Sequence, residues 1–251
     1  IRCPHYRVKL SRIKVSGYTS NAVGEFICHI NNDVIVSPNW DRVLIEAMEE
    51  YSLDFASPAS MELMPTYTET KKILKKWEKI GKPSISSKKE EIIEKWKKMY
   101  VDWDEYCSKF EKRNKGKVLD AINGHTVMIR SAAWQKIGGY DERMLATDWD
   151  LYVRAKQREV KYGDIVAPKV VLWAYVHHFM GTTANLTKCA YDNEEGAINN
   201  ITDKWPIEEL DKYWPFPIHL HPAPKFPESP LAYLRYAFKR LFNLYEWGDK
   251  W

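Results

Sequence analysis

Short apolar runs alternate along the chain with longer segments in which apolar residues recur every three or four positions. Residues 24–30 form one apolar run, and residues 34–36 form a second run after three polar residues. Runs of this length predict buried strands. The next segment predicts a helix with one apolar face, in which Ser37 caps the first turn and Pro38 occupies it. That face comprises Trp40, Val43, Leu44, Ala47 and Met48.

The same alternation of strands and helices returns after residue 118. The sequence predicts a helix that begins at Ser131 and ends at Gly138-Gly139. A further helix, TDWDLYVRAKQREVKY, is predicted to end near Gly163. The run KVVLWAYVHH has near-continuous apolar content and predicts a buried strand. Together these elements indicate an α/β protein.

Residues 65–117 differ from the rest of the chain in charge. They contain 16 Lys or Arg residues and 9 Asp or Glu residues, a net charge of +7 in a chain whose total is +4. Their pattern predicts an inserted helical subdomain of two helices, separated at residues 81–84. Two interpretations remain open: a solvated basic face over an aromatic seam, or a surface that binds an acceptor or an anion. The apolar positions of the second helix are Ile92, Ile93, Trp96, Met99, Tyr100, Trp103 and Phe110.

Composition limits the classes of function. The 251 residues are 45% hydrophobic and 29% charged, which is an ordinary balance for a globular protein with a large core. The small net charge, and Lys residues that alternate with Glu in the basic segment, predict no nucleic-acid binding. The four Cys residues lack metal-type spacing, which favours free thiols in a reducing compartment. The 11 Trp and 15 Tyr residues favour a large aromatic core or the aromatic-lined grooves that bind carbohydrate.

The C-terminal third, residues 184–251, is predicted to wrap around the rest of the chain and to end in a helix. Seven prolines within residues 205–230 indicate irregular structure. Residues 230–247 predict an amphipathic helix that packs on the chain's own core, on a second subunit of a homo-oligomer, or on an anionic membrane surface. No apolar run of about 18 residues is present, so no transmembrane helix is predicted. We expect a cytoplasmic protein, either free or bound peripherally at the membrane.

Acidic and imidazole side chains stand where predicted strands end or helices begin. Asp33 follows the first strand, Asp148 and Asp150 open a helix, and His177 lies near the end of a strand. Ligands of open α/β sheets collect beyond the carboxyl ends of the strands. We therefore expect Asp33, Asp148 and His177 to converge on one cleft, where carboxylate and imidazole ligands would suit Mn²⁺.

Three blocks of the sequence resemble a known family. AVGEFICHINNDVIVSPNW is similar to the family's A-x-G-E-[YF]-I-x-x-L-N-x-D strand, and NGHTVMIRSAAWQKIGGYDERMLATDWDLYVR is similar to its segment that ends in [ED]-D-x-D-L-x-x-R. VHHFMGTT is similar to its closing H-x-x-x-[GS]-[ST] element. The family is that of the inverting glycosyltransferases of family 2, and the resemblance covers residues 20–60 and 118–183.

The resemblance implies a GT-A fold, a Rossmann-like mixed sheet flanked by helices, built here from residues 1–64 and 118–183. It also implies transfer of a sugar from a UDP- or GDP-sugar to a hydroxyl group of a carbohydrate or lipid-linked acceptor. The family's opening strands, which hold the nucleoside base, have no match, because the recognisable pattern begins almost at the first residue. We expect those strands upstream or in another segment. The alternative is a non-catalytic sugar-binding or assembly module.

The resemblance assigns roles in donor binding to three consecutive residues. The family's metal-binding D-x-D motif matches Asn31, Asn32 and Asp33. Asp33 is expected to bind the Mn²⁺ or Mg²⁺ that bridges the donor diphosphate, with Asn31 near the ribose or the sugar. His177 matches the position that completes the metal site or contacts the diphosphate.

The resemblance also assigns the catalytic base, which is matched by Asp148. Thr147 stands where the family usually has an acidic residue, so Asp150 is the reserve candidate for the base. Arg154, one helical turn beyond, is expected to pair with Asp150. Aromatic side chains of the basic segment are expected to form the acceptor side of the cleft or, alternatively, to pack its helices together. These are Trp77, Trp96 and Trp103.

Overall fold

The structure is a computed structural model that describes residues 24–81, 88–141, 143–144, 147–179, 198 and 200–213. Its strands are β1 (Phe26–Ile30), β2 (Val34–Val36), β3 (Phe55–Ala59), β4 (Val118–Asp120), β5 (Thr126–Arg130) and β6 (Lys169–His178). Its α-helices are α1 (Trp40–Glu50), α2 (Tyr67–Ile80), α3 (Lys89–Met99), α4 (Trp103–Asn114), α5 (Ser131–Ile137), α6 (Thr147–Tyr162) and α7 (Ile207–Tyr213). The predictions for the remaining residues, including the C-terminal helix over 230–247, lie outside the described part.

The strands form one mixed sheet in the order β1-β5-β3-β6-β2. β3 and β6 run parallel, and the other pairings are antiparallel. The long strand β6 has partners on both sides: β3 pairs with it on one side, and on the other side β4 pairs with its first half and β2 with its second half. Eight consecutive residues of β6 are buried, because helices cover both faces. The predicted mixed α/β sheet flanked by helices is therefore confirmed.

Most of the predicted elements match the structure. The apolar runs become β1, β2 and β6, and the two helices predicted after residue 118 become α5 and α6. Gly138 ends α5 in the left-handed region, at φ 78°, where glycine has no steric penalty. Within the described residues, no helix is long and apolar enough to cross a membrane.

Helix α1 begins later than its sequence predicts. It starts at Trp40, and its N-cap is Asn39 in the left-handed region at φ 58°, without a side-chain capping bond. Ser37 therefore does not cap the helix; its N–H instead donates to the carbonyl of Tyr175 and ties the segment to β6. The predicted apolar face is otherwise confirmed, with four buried side chains: Val43, Leu44, Ala47 and Met48.

The described residues of the basic segment form three helices, one more than the sequence predicts. The chain leaves the helical conformation at Tyr100, and the side chain of Asp102 caps α4 by accepting from the N–H of Glu105. Tyr175 of β6 lies against aromatic rings of this segment, including Phe110 at 4.8 Å between ring centroids. The segment thus shares a hydrophobic core with the sheet, and only its outer surface is basic.

Candidate functional site

Three chain segments meet at the end of β6 that carries His178. The turn between β1 and β2 is held there by two backbone hydrogen bonds: the N–H of Asn31 donates to the carbonyl of His125, and the N–H of Phe179 donates to the carbonyl of Asp33. The pairing of Val34 with His178 extends this connection into the sheet. The β1–β2 turn, the loop before β5 and the end of β6 therefore form one site.

Four ionisable side chains from these segments and one further loop lie in contact. Glu62 comes from a tight turn after β3, in which its N–H donates to the hydroxyl of Ser60. His178 Nδ1 lies 2.7 Å from Glu62 Oε2, and His178 Nε2 lies 3.4 Å from Asp33 Oδ1. His125 Nε2 lies 3.6 Å from the same Glu62 oxygen, and the two imidazole rings are 4.8 Å apart.

Burial and mutual contact set the charges of this cluster. Burial alone would lower the pKa of His178, but the hydrogen bonds and negative charges of Asp33 and Glu62 outweigh it and raise that pKa to about 9. Burial would raise the pKa of Glu62, but the hydrogen bond from His178 lowers it below its usual value. Burial lowers the pKa of His125 to about 4. At neutral pH the cluster therefore contains one charged and one neutral imidazole.

Asp148 occupies a tight site at the start of α6. A Cβ atom at residue 124 would overlap the Asp148 carboxylate, so only glycine fits there. Burial raises the pKa of Asp148 to about 6, against the opposing effect of backbone hydrogen bonds at Asp148, Trp149 and Gly124. The negative charge of Glu62 also raises it. Glu62 therefore links the two predicted carboxylates, since its charge acts on Asp148 and its partner His178 contacts Asp33.

The imidazole that contacts Asp33 is His178, and His177 lies on the opposite face of β6. His177 Nδ1 is 3.0 Å from the hydroxyl of Tyr100, and its ring packs against Trp77 and Phe179 at 4.8 and 4.5 Å between centroids. The side chain is fully buried, and burial lowers its pKa to about 3. His177 therefore does not join Asp33, and the imidazole beside Asp33 is that of His178. The convergence of Asp148 with Asp33 stays a prediction.

Asp150 is a structural residue and not a reserve base. Its fully buried carboxylate accepts from Arg154 Nε at 2.8 Å and from Trp205 Nε1 at 2.9 Å, and it pairs with Lys204 Nζ at 2.5 Å. The predicted pairing with Arg154 is confirmed. These partners hold α6 against the segment that leads into α7, and they occupy both carboxylate oxygens of Asp150.

The other predicted residues differ in their exposure. Asn32 is exposed in the β1–β2 turn, and Asn31 Oδ1 lies 3.1 Å from His29 Nε2. Trp77 is fully buried against His177 and Phe179, so it cannot offer a face to an acceptor.

Trp96 and Trp103 remain partly exposed, 5.5 Å apart between ring centroids. Trp103 Nε1 also donates to the carbonyl of Val36, at 3.4 Å. Their acceptor-side role stays a prediction, as does the donor-binding role of the two asparagines.

Sequence reasoning missed three members of the cluster. His178 is the neighbour of the predicted site residue His177, and His125 lies in the block NGHTVMIR, which is part of the family resemblance. Both residues could therefore have been predicted from the sequence. Glu62 had no such signal, because it follows a strand without any recognisable motif.

No family model matches the chain, and neither the curated proteins nor the solved structures compared with it give a match. The site must therefore be interpreted from its own chemistry.

Proposed function

We propose that the chain is a metal-dependent inverting glycosyltransferase of the family 2 type with a GT-A fold. It would transfer a sugar from a UDP- or GDP-sugar to a hydroxyl group of a carbohydrate or lipid-linked acceptor. One observation carries the proposal: Asp148, a partly buried carboxylate with a pKa raised to about 6, stands within the electrostatic reach of Glu62, a member of the carboxylate and imidazole cluster at one end of a mixed sheet. Asp33, Asp148 and His178 each belong to one of the three sequence blocks that resemble the family.

Asp148 has the properties of a general base for this reaction. An acceptor hydroxyl is a poor nucleophile at neutral pH, so a base must take its proton during attack. With a pKa of about 6, the carboxylate is mostly ionised at pH 7 and still basic enough to accept that proton. The acceptor oxygen bonds to the anomeric carbon while the bond to the diphosphate breaks, and the electron pair leaves with the diphosphate. A single displacement of this kind inverts the anomeric configuration.

The cluster beside Asp148 fits a divalent cation. Asp33 is proposed to bind Mn²⁺ or Mg²⁺, which would offset the negative charge of the departing diphosphate. His177, the second ligand that the sequence predicts, lies on the opposite face of β6. The fit is supported by His125, a buried residue whose Nε2 faces the cluster and has no hydrogen-bond partner in the described part of the structure. A nitrogen in that state is suited to a metal ion.

The acceptor is proposed to approach over the basic segment. Trp96 and Trp103 form a partly exposed aromatic pair, and Trp103 donates to the carbonyl of Val36, the last residue of β2. Sugar rings stack on aromatic faces of this kind, and the surrounding lysines would attract a phosphate or an acidic sugar. Trp77 is excluded from this surface by its burial.

Calorimetry with UDP and GDP, in the presence and absence of Mn²⁺, tests the proposal. We expect binding of one nucleotide to require the metal, because a cation held by Asp33 would offset the negative charge of the diphosphate. Asp33→Ala should abolish that binding, whereas Asp148→Asn should leave it intact and lower the rate of sugar transfer. Asp104→Asn, an exposed change on α4, is the matched control.

Two outcomes would contradict parts of this proposal. Equal loss of nucleotide binding in Asp33→Ala and Asp148→Asn would contradict the division between cation ligand and base. Nucleotide or sugar binding without any transfer would favour the alternative, a non-catalytic sugar-binding or assembly module.

A further inference from the structure

Glu62, His125 and His178 form a cluster that contains none of the residues assigned to the donor by the family resemblance. One ligand atom from each of these side chains lies within 4.8 Å of the others. We propose that the three side chains form a binding site for a divalent transition-metal ion of the Zn²⁺ class, and that Asp33 orients His178 within it. This site does not depend on sugar transfer, and it would exist in a transferase or in a binding module.

The distances in the cluster are close to those around a bound ion. Zn²⁺ binds nitrogen and oxygen at about 2.0–2.2 Å, so two of its tetrahedral ligands lie about 3.3 Å apart. The separations to Glu62 Oε2 are 2.7 Å from His178 Nδ1 and 3.6 Å from His125 Nε2. These values lie on either side of the tetrahedral spacing. The two imidazole ligand atoms lie within 4.8 Å of each other, so an ion that replaced the proton between His178 and Glu62 would draw the three side chains together.

His125 supplies the second and independent observation. The residue is only 5% exposed, and its Nδ1 lies 3.2 Å from the hydroxyl of Thr126. We assign the proton to Nδ1, as a donor to that hydroxyl, which leaves the lone pair on Nε2. Nε2 faces Glu62, but it has no hydrogen-bond partner among the described residues. Buried polar atoms are normally satisfied, and a metal ion would satisfy this one.

Asp33 has the position of an orienting group. When His178 binds an ion through Nδ1, its second ring nitrogen, Nε2, remains available to Asp33 Oδ1, which lies 3.4 Å away. Metal-bound histidines commonly donate their second nitrogen to a carboxylate, which fixes the ring and makes it a stronger ligand. The β1–β2 turn therefore contributes to the site through His178, and its contribution does not require direct contact with the ion.

The ligand types favour a transition metal over Mg²⁺. Two imidazoles and one carboxylate suit Zn²⁺ and its neighbours, whereas Mg²⁺ prefers six oxygen ligands. The ion should therefore bind in the presence of excess Mg²⁺. Three protein ligands leave a further coordination position for water or for an oxygen of a bound molecule.

A competition titration tests this site. Metal-free protein is titrated with Zn²⁺ against a chromophoric chelator, with Mg²⁺ in excess. Glu62→Gln and His125→Gln should each lower the Zn²⁺ affinity by at least about 100-fold, and Asp33→Asn by about 10- to 100-fold. His29→Gln is the matched control, because this nearby imidazole is bonded to Asn31 and lies outside the cluster; its affinity should equal that of the wild type.

The result is decisive in either direction. The absence of Zn²⁺ binding to the wild type, or unchanged affinity in Glu62→Gln and His125→Gln, would overturn the site. If a variant fails to fold, X-ray absorption of the Zn²⁺-loaded wild type decides: two imidazole ligands are expected, and a spectrum without imidazole would overturn the proposal. If Zn²⁺ does not bind but UDP or GDP still binds with Mn²⁺, the Zn²⁺ site is wrong and the proposed function stands. If Zn²⁺ binds but neither nucleotide binds with Mn²⁺, the proposed function is wrong and the Zn²⁺ site stands.

Discussion

Replacement of Asp148 by asparagine is expected to stabilise the protein at neutral pH. Burial raises the pKa of this carboxyl from 3.8 to about 6, so the folded state disfavours the ionised form. At 1.36 kcal/mol per pKa unit, the difference corresponds to a destabilisation of about 3 kcal/mol in the wild type. Asparagine carries no charge, and its oxygen still accepts from the backbone donors. Its own NH₂ group needs acceptors, which reduces the expected gain to about 1–3 kcal/mol.

The stabilisation of the protein by Asp148→Asn should depend on pH, and it should change within a defined pH range. A carboxyl whose pKa is higher in the folded state binds its proton more tightly there, so the wild type loses stability as the pH rises from about 4 to about 6. Above this window the loss is complete, and below pH 4 it is small because Asp148 is protonated in both states. The advantage of Asp148→Asn should therefore be full at pH 7.5 and nearly absent at pH 4.

Urea denaturation of both proteins at these two pH values, with chelator present, measures the effect. Asp104→Asn, on the exposed surface of α4, should change the free energy of unfolding by less than about 0.5 kcal/mol at either pH. Equal stability of Asp148→Asn and wild type at pH 7.5 would refute the assignment of a partly buried, unfavourably ionised base. A difference that persists unchanged at pH 4 would refute its electrostatic origin.

Three further substitutions test the packing around the site. Gly124→Ala places a methyl group where the Asp148 carboxylate lies, so it should destabilise the protein by about 1–3 kcal/mol and lower turnover more than nucleotide binding. Trp77→Ala empties a fully buried position and should reduce the free energy of unfolding by about 3–5 kcal/mol; a stable variant with weakened acceptor binding would contradict its core role. Arg154→Leu removes one partner of the buried Asp150, and urea denaturation should show a loss of about 2–3 kcal/mol, since Lys204 remains.

Much of the fold could be predicted because local signals were unambiguous. The near-continuous apolar run of β6 and the glycines that end α5 and α6 leave few alternatives for those elements. The break between α3 and α4 could not be predicted, because the apolar spacing continues through Tyr100 and Trp103 as it would in one helix. The start of α1 was also ambiguous, since Ser37 and Asn39 are both residues that cap helices.

The candidate site shows where one sequence alone is insufficient. Asp33 follows the apolar run of β1, and Asp148 lies in the first turn of α6. Because both elements have clear sequence patterns, both residues could be predicted as site residues. The choice between His177 and His178 depends on which face of β6 points toward the β1–β2 turn, and adjacent residues of a strand face opposite sides. Glu62 is brought in by the tertiary fold, because the parallel pairing of β3 with β6 carries its loop to the site.

The measurement that tests the central claim most directly is sugar transfer itself. The protein is incubated with UDP- and GDP-sugars, a panel of carbohydrate and lipid-linked acceptors, and either Mn²⁺ or a chelator, and the product is analysed by mass spectrometry and NMR. The proposed function predicts a metal-dependent product with inverted anomeric configuration, and a rate lower by about 10²–10⁴ in Asp148→Asn. A product with retained configuration, transfer in the presence of chelator, or an unchanged rate in Asp148→Asn would contradict it.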